Sequence, residues 1–513
     1  MTNKKTHVSL VRGPIVFGDG AINNEATPAI AFAYLSGYLR KYGYETTIVD
    51  AIAEGLNKTW PLKQYPGYNC HGLRFEEVIS RIPSNSEVIG FSGMFSGEWP
   101  VMRDLINLVR EHFPDALIVA GGEHITATTK YSLEDCPALD VCVRGEGEHT
   151  FYELLESYQE SDDFTNIQGI AYLDDNGHYH QNGEETPRIR KIDEIPWPDW
   201  PEGHLEKFWS KGKSFGAGVG RDMPFLFSRG CPYRCTFCSN EGMYTTRYVL
   251  RELDDVIAEI KHYIKKYNID SIQAYDLTAI TKKSWIVAFC NRLIEENLQI
   301  KWSLPSGTRS EVLDDETLSL LKKTGCNYIV YAPESGSKRT LVNIKKRLKL
   351  SRLTESVLEA KKQKLVVRVN LIIGFPKETW RDVWNTIFYG LKMVVQGVDD
   401  VPLFIFSPYP GTAIEKDLLA AKKLAFSDEY FFSLTSLNSN FISTKTAISY
   451  SPDISARKLG IVRAFFILMN YALSYLVYPN RILRTIKNLR SNTATTVFEH
   501  RLKDLFNRKT SAS

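Results

Sequence analysis

Cysteine is scarce in this sequence of 513 residues: eight in all, too few for a disulfide scaffold. Three of the eight fall between Cys231 and Cys238, a clustering that points to a reducing compartment and a metal site. Net charge is also nearly absent. Lys+Arg 63 against Asp+Glu 60 leaves +3, so no global field argues for nucleic acid as a partner. The imbalance is local, because 11 Lys/Arg against 2 Asp/Glu lie from Ala456 onward. There is no repeat of fixed period, no low-complexity tract, no P-loop and no metal-binding His-Glu-x-x-His. Residues 1–12 lack the apolar core of a signal peptide, so a cytoplasmic protein is expected. Only residues 461–478 form a long apolar run. What is present, 43% apolar and 24% charged residues, is the make-up of a globular chain, long enough for about three domains.

Over residues 1–160, short apolar runs at 7–11, 45–50, 88–92, 117–120 and 140–143 alternate with helical patterns. Five such β-α units predict an α/β domain with a flavodoxin-like, doubly wound parallel sheet. A ligand binds such a sheet at the carboxyl ends of its strands. The loops expected there are rich in glycine: 13–26, Ser92-Gly93, Gly121-Gly122-Glu123-His124 and Gly145-Glu146-Gly147. Glycine admits close backbone approach to a ligand, although tight strand-helix turns need it too. Residues 161–215 read as a hairpin around Asn176-Gly177 and a Pro-rich linker at 195–201. A second α/β series over 216–425, with strands near 225–227, 271–275, 301–304, 328–331, 366–373 and 401–406, predicts a partial (β/α)6 barrel. Residues 426–513 read as a helical C-terminal region.

The informative stretch follows the first strand of that second series, where a barrel carries its active residues. In Cys231-Pro-Tyr-Arg-Cys235-Thr-Phe237-Cys238, three thiolates at i, i+4 and i+7 can converge on one centre. A structural zinc site needs four protein ligands, and no Cys or His lies between Ser239 and Lys261. Soft thiolates suit a 4Fe–4S cluster, which three cysteines can hold with one iron left open.

This Cys-x-x-x-Cys-x-aromatic-Cys loop resembles the signature of the radical S-adenosylmethionine enzymes. The resemblance implies that Cys231, Cys235 and Cys238 bind three irons, that the fourth chelates S-adenosyl-L-methionine, and that Phe237 lies near the adenine. An electron from the cluster then yields a 5′-deoxyadenosyl radical, which abstracts hydrogen from an unactivated C–H bond. Further positions are similar to the family's. Glu334 and Ser335, in Pro333-Glu-Ser-Gly-Ser337, are expected at the cofactor, as are Asp276 and Arg309 at strand ends. Gly374 opens Gly-Phe-Pro-Lys-Glu-Thr, in which Lys377 replaces the usual glycine.

The whole order resembles the cobalamin-binding members of that family. Their N-terminal fold cradles cobalamin, which implies roles for Ser92, Gly93, Gly121, Gly122, Glu123, Gly145 and Glu146. The Asp-x-His-x-x-Gly motif that supplies an axial histidine elsewhere is absent. His124 is the nearest candidate for a lower ligand, and a helix cap is the plainer reading. The expected activity is methyl transfer to carbon. Radical cyclisation, C–C bond formation or oxidation without methyl transfer is the alternative, as in the anaerobic magnesium-protoporphyrin ester cyclase. An iron–sulfur sensor is the reading from another class. The expected partners are a hydrophobic small molecule and a flavodoxin or ferredoxin as reductant. In 461–478 the polar residues Arg463, Asn470 and Ser474 form one stripe, and cations flank the segment. It reads either as a core helix closing the barrel or as a helix at a membrane interface.

Overall fold

The computed structural model describes residues 5–19, 21, 26–160, 163–184, 186–213, 220–439, 448–490 and 499. Part of the glycine-rich loop 13–26 and most of the expected helical region beyond 490 lie outside the described residues. Two large, mainly parallel sheets organise the described residues, beside two small antiparallel ones.

The first sheet places Glu45–Asp50, His7–Arg12, Val88–Ser92, Leu117–Gly121 and Val141–Val143 side by side, all parallel. Numbered along the chain, that order is 2-1-3-4-5, the flavodoxin arrangement. Val88–Ser92 and Leu117–Gly121 read as continuous apolar runs because both faces are covered, with separate cores on each side. The hairpin Ile170–Leu173 and Tyr179–Gln181 adds to this sheet, antiparallel on the Val141–Val143 edge. The Pro-rich segment after it straps the two halves together. Asp199 N–H donates to Ala33 O at 2.9 Å, and Trp197 Nε1 donates to Asp255 at 2.9 Å.

The second sheet holds six parallel strands in chain order: Asp222–Phe225, Ser271–Ala274, Lys301–Thr308, Cys326–Glu334, Val366–Ile373 and Leu403–Ile405. Its first and last strands do not pair, so the barrel is partial. Two strands run past their expected ends. Their register slips between Leu304 and Gly307 and between Tyr331 and Glu334, at Pro305 and Pro333, which have no N–H for the ladder. Proline thus marks a bulge here and not a strand end.

Beyond the barrel, helix Asp428–Ser439 returns to the first domain. Phe431 joins its core, and Arg103 bonds Asp428 at 2.9 Å. Helix Ala456–Val477 packs along helix Trp380–Val395 and over strand Leu403–Ile405, covering the open edge. Gly390 permits that approach: a Cβ there would stand 2.8 Å from the Phe466 ring.

Candidate active site

The carboxyl ends of both sheets open onto one cavity of about 340 Å³, continuous with solvent. Ser92, Gly121, Gly122, Glu123, Gly145 and Glu146 line it from the first sheet. Ser228, Arg229, Gly230 and Asp276 line it from the second. Ordinary small-molecule pockets run to roughly 300–1,000 Å³; this one is of that order, and its mouth stands open to solvent, so a larger ligand can extend out of it. A Cβ on Gly121 would meet nothing nearer than Val143 O at 3.5 Å, so a side chain there would enter the cavity. These features fit a corrinoid lying on the strand ends.

Gly93 does not line the cavity. A Cβ on it would fall 2.4 Å from Ile125, so its glycine serves close packing. His124 is likewise turned inward. Its Nδ1 lies 3.0 Å from Ser96 Oγ and its ring sits between Trp99 and Phe431, where burial lowers its pKa to about 3. It offers no lower ligand. Glu98 does line the cavity, and desolvation raises its carboxyl to about 7 while Arg12 acts in the opposite sense.

The cysteine loop leaves the short strand Ser228–Arg229, and the fold ties it down on several sides. Gly230 has φ +83°, and a Cβ there would lie 2.2 Å from Arg247 O, so only glycine fits before Cys231. Asn240 donates to Cys231 O at 3.0 Å, and Thr236 N–H donates to Ile344 O at 3.1 Å. Ser239 Oγ donates to Glu123, at the start of the helix that follows strand Leu117–Gly121. Asp276 is buried and accepts Phe227 N–H at 3.1 Å and Ser228 Oγ at 2.5 Å. Burial raises that carboxyl to about 6. It anchors the strand that leads into the loop.

Cys231 and Cys235 are half-buried, Cys238 is exposed, and none is in a disulfide. Burial raises the first two thiols, while Lys346 and Arg309 pull the other way, toward thiolate. The other five cysteines are buried. Among the described residues no group of three His, Cys, Asp or Glu is placed to hold a single metal ion. A cluster asks for something different. Each of its cysteines binds a separate iron, so the sulfurs stand farther apart than around one ion. Three free thiols in one anchored loop are a donor set that fits it.

Lys346, unmarked in the sequence because 345–347 reads as a solvated basic run, is the residue that organises this side. Its Nζ bonds Glu334 at 2.8 Å and lies 5.7 Å from the Phe237 ring centroid. Glu334 holds φ +67° at its strand end. Arg309 lies 3.8 Å from the Tyr233 ring centroid and donates to Lys346 O at 3.2 Å and Arg347 O at 2.6 Å, bracing both loops. Phe237 also packs on Phe375, with centroids 5.7 Å apart. Ser335 is turned away, fully buried, with Oγ 2.8 Å from Thr386 Oγ1. Gly374, at φ +91°, donates to Glu378 at 2.7 Å under Leu459 of the C-terminal helix.

Glu146 is a bridge between the two sheets. It lies 3.3 Å from both Arg188 and Arg229 and accepts Ile189 N–H at 2.7 Å.

The chain resembles known proteins in both of its halves. The profile of the B12 binding domain matches residues 24–155 and that of the Radical SAM superfamily matches residues 225–389. An uncharacterised methyltransferase, PH0819, of Pyrococcus horikoshii is 28% identical over 75% of this chain and 77% of its own. The anaerobic magnesium-protoporphyrin IX monomethyl ester cyclase of Rubrivivax gelatinosus is 26% identical over 76% of this chain and 66% of its own. The methyltransferase TsrM of Kitasatospora setae, solved with cobalamin and a [4Fe-4S] cluster, shares the fold. Its TM-score is 0.63 at 15% identity, covering 91% of each chain.

Proposed function

Because this chain belongs to the cobalamin-binding radical S-adenosylmethionine enzymes and works with a 4Fe–4S cluster, S-adenosyl-L-methionine and cobalamin, we propose that it methylates an unactivated carbon of a hydrophobic or lipid-like small molecule. The observation that carries the reading is the shared cavity, bounded by Gly121 on one side and by Arg229-Gly230 on the other. Together the three cofactors supply a reducing electron, hydrogen abstraction and a methyl group. The residues do the rest. Cys231, Cys235 and Cys238 ligate iron, and Lys346 and Arg309 favour the thiolate forms of Cys231 and Cys235. Phe237 and Phe375 offer an apolar wall for the adenine, beside Glu334. Met94, Phe95 and Leu277 line the cavity yet remain 41, 57 and 44% exposed, an apolar surface suited to a hydrophobic substrate. A flavodoxin or ferredoxin is the reductant, and the free thiols suit a reducing cytoplasm.

The test is anaerobic reconstitution with the cofactors, a reductant and a cell extract, using S-adenosyl-L-methionine with a deuterated methyl group. A product carrying the labelled methyl supports the reading. A product that has lost hydrogens and gained no label transfers the assignment to the cyclase type. No 5′-deoxyadenosine under any condition contradicts both.

A further inference from the structure

Helices Ala456–Val477 and Asn480–Arg490 are inside out. Arg463, Asn470 and Ser474 of the first are buried, as are Arg481, Thr485 and Asn488 of the second. Leu468, Leu476 and Leu483 stand 69, 78 and 68% exposed, with Ile461, Phe465, Ile482 and Ile486 close to half. A surface helix in water turns its polar face outward, since exposed leucine and buried guanidinium each cost free energy. The inward polar stripe is nevertheless well made. Arg481 donates to Gly397 O at 2.6 Å, Val398 O at 3.0 Å and Ser474 Oγ at 2.7 Å. The adjoining helix Trp380–Val395 also exposes Trp384 and Phe388.

Among the described residues the exposed charges on these two helices have one sign, since Asp399 and Glu499, which pair with Arg481 and Arg484, are enclosed. No Asp or Glu occurs from Ala456 to Arg490, whereas Arg457, Lys458, Lys487 and Arg490 are exposed at its ends. A second copy docking by the same face would bring cations toward cations. The first helix has 22 residues and holds an 18-residue window of mean hydropathy 1.6, enough by length and composition to cross a bilayer. Its polar stripe is committed to the protein, however, so it lies along the molecule and does not cross.

We propose that this face rests on an anionic lipid leaflet. Its leucines and isoleucines enter the headgroup–acyl boundary, and Arg457, Lys458, Lys487 and Arg490 meet lipid phosphates. The proposal is independent of the reaction assigned above and of its substrate.

The experiment is co-sedimentation of the full-length protein with vesicles of phosphatidylglycerol and, separately, of phosphatidylcholine, at low and high salt. Binding should be confined to the anionic vesicles and weaken with salt. Lys458→Gln and Lys487→Gln should each weaken it about five-fold. The triple variant Leu468→Gln/Leu476→Gln/Leu483→Gln should abolish it with iron content unchanged. Absence of binding to phosphatidylglycerol at low salt overturns the proposal, as does undiminished binding by the triple variant. A wild-type dimer that ignores vesicles and dissociates in the triple variant also overturns it, assigning the face to a second copy.

Discussion

The Arg229 guanidinium lies 2.6 Å from the Glu148 carboxylate, joining the strand before the cysteine loop to the helix that follows Val141–Val143 of the first sheet. Arg229 stands two positions before Cys231, while Glu148 sits in the first turn of helix Gly147–Glu160, just past the glycine loop at the cavity. The ring of Tyr34 backs the guanidinium, its centroid 4.8 Å away. One buried cation therefore holds the cysteine loop at a fixed place relative to the first sheet.

Arg229→Gln leaves Glu146 and Glu148 buried without their shared partner. Removing one side of a buried ion pair costs about 3–5 kcal/mol, so the thermal midpoint should fall by many degrees. In protein that remains folded, 5′-deoxyadenosine formation should survive better than product formation, because the loop itself is intact. Comparing the two rates in one assay checks this. Equal losses would show that the clamp does not align the two halves.

Cys231→Ala, Cys235→Ala and Cys238→Ala should each lose the cluster and all 5′-deoxyadenosine. Replacement of Cys70, Cys136, Cys142, Cys290 or Cys326 should alter packing and leave iron and sulfide content unchanged, since these five are buried away from the loop. Iron and sulfide analysis of anaerobically purified variants decides it.

Gly121→Leu should block cobalamin without disturbing the fold, because its backbone is ordinary and its Cβ would make only van der Waals contact with Val143. Gly145 is a poorer probe. It has φ +73°, and a Cβ would press on Thr186 at 3.0 Å, so a substitution strains the backbone as well. Retained cobalamin absorbance in Gly121→Leu protein, reconstituted with excess cobalamin, would remove the ligand from these strand ends.

Glu98 has its carboxyl raised to about 7 by desolvation. The folded state therefore holds a proton that the unfolded chain releases near its ordinary value, 4.5. Stability from this group is full below that unfolded value and declines as pH rises toward 7. Glu98→Gln should accordingly stabilise the apoprotein at pH 8, by on the order of 1 kcal/mol after solvent screening, and change little at pH 4.5. Denaturant midpoints at the two pH values measure the difference.

The sequence made both sheets legible because their strands are buried on two faces and read as apolar runs. The cysteine loop was legible because its spacing is itself the chemistry. Proline at 305 and 333 concealed how far two strands continue, since a bulge and a strand end leave the same mark. Lys346 was hidden in a run of three basic residues, and only packing shows which of them is enclosed beside Glu334. Conversely, Gly93, Ser335 and His124 carry residue types suited to a site and point into the core. A one-dimensional pattern locates a loop but does not say which way its side chains turn. For the same reason the polar stripe of 461–478 was visible while its inward orientation was not.

One cavity lies at the carboxyl ends of both sheets, with Gly121 on one side and Gly230, next to Cys231, on the other, so bound cobalamin and cluster are expected to be close neighbours. Electron paramagnetic resonance on protein loaded with both cob(II)alamin and the reduced cluster tests this most directly. Mutual broadening of the two signals, absent when either is loaded alone and lost in Gly121→Leu, is the predicted result. Two sharp, independent signals from fully loaded protein would place the two cofactors in separate sites.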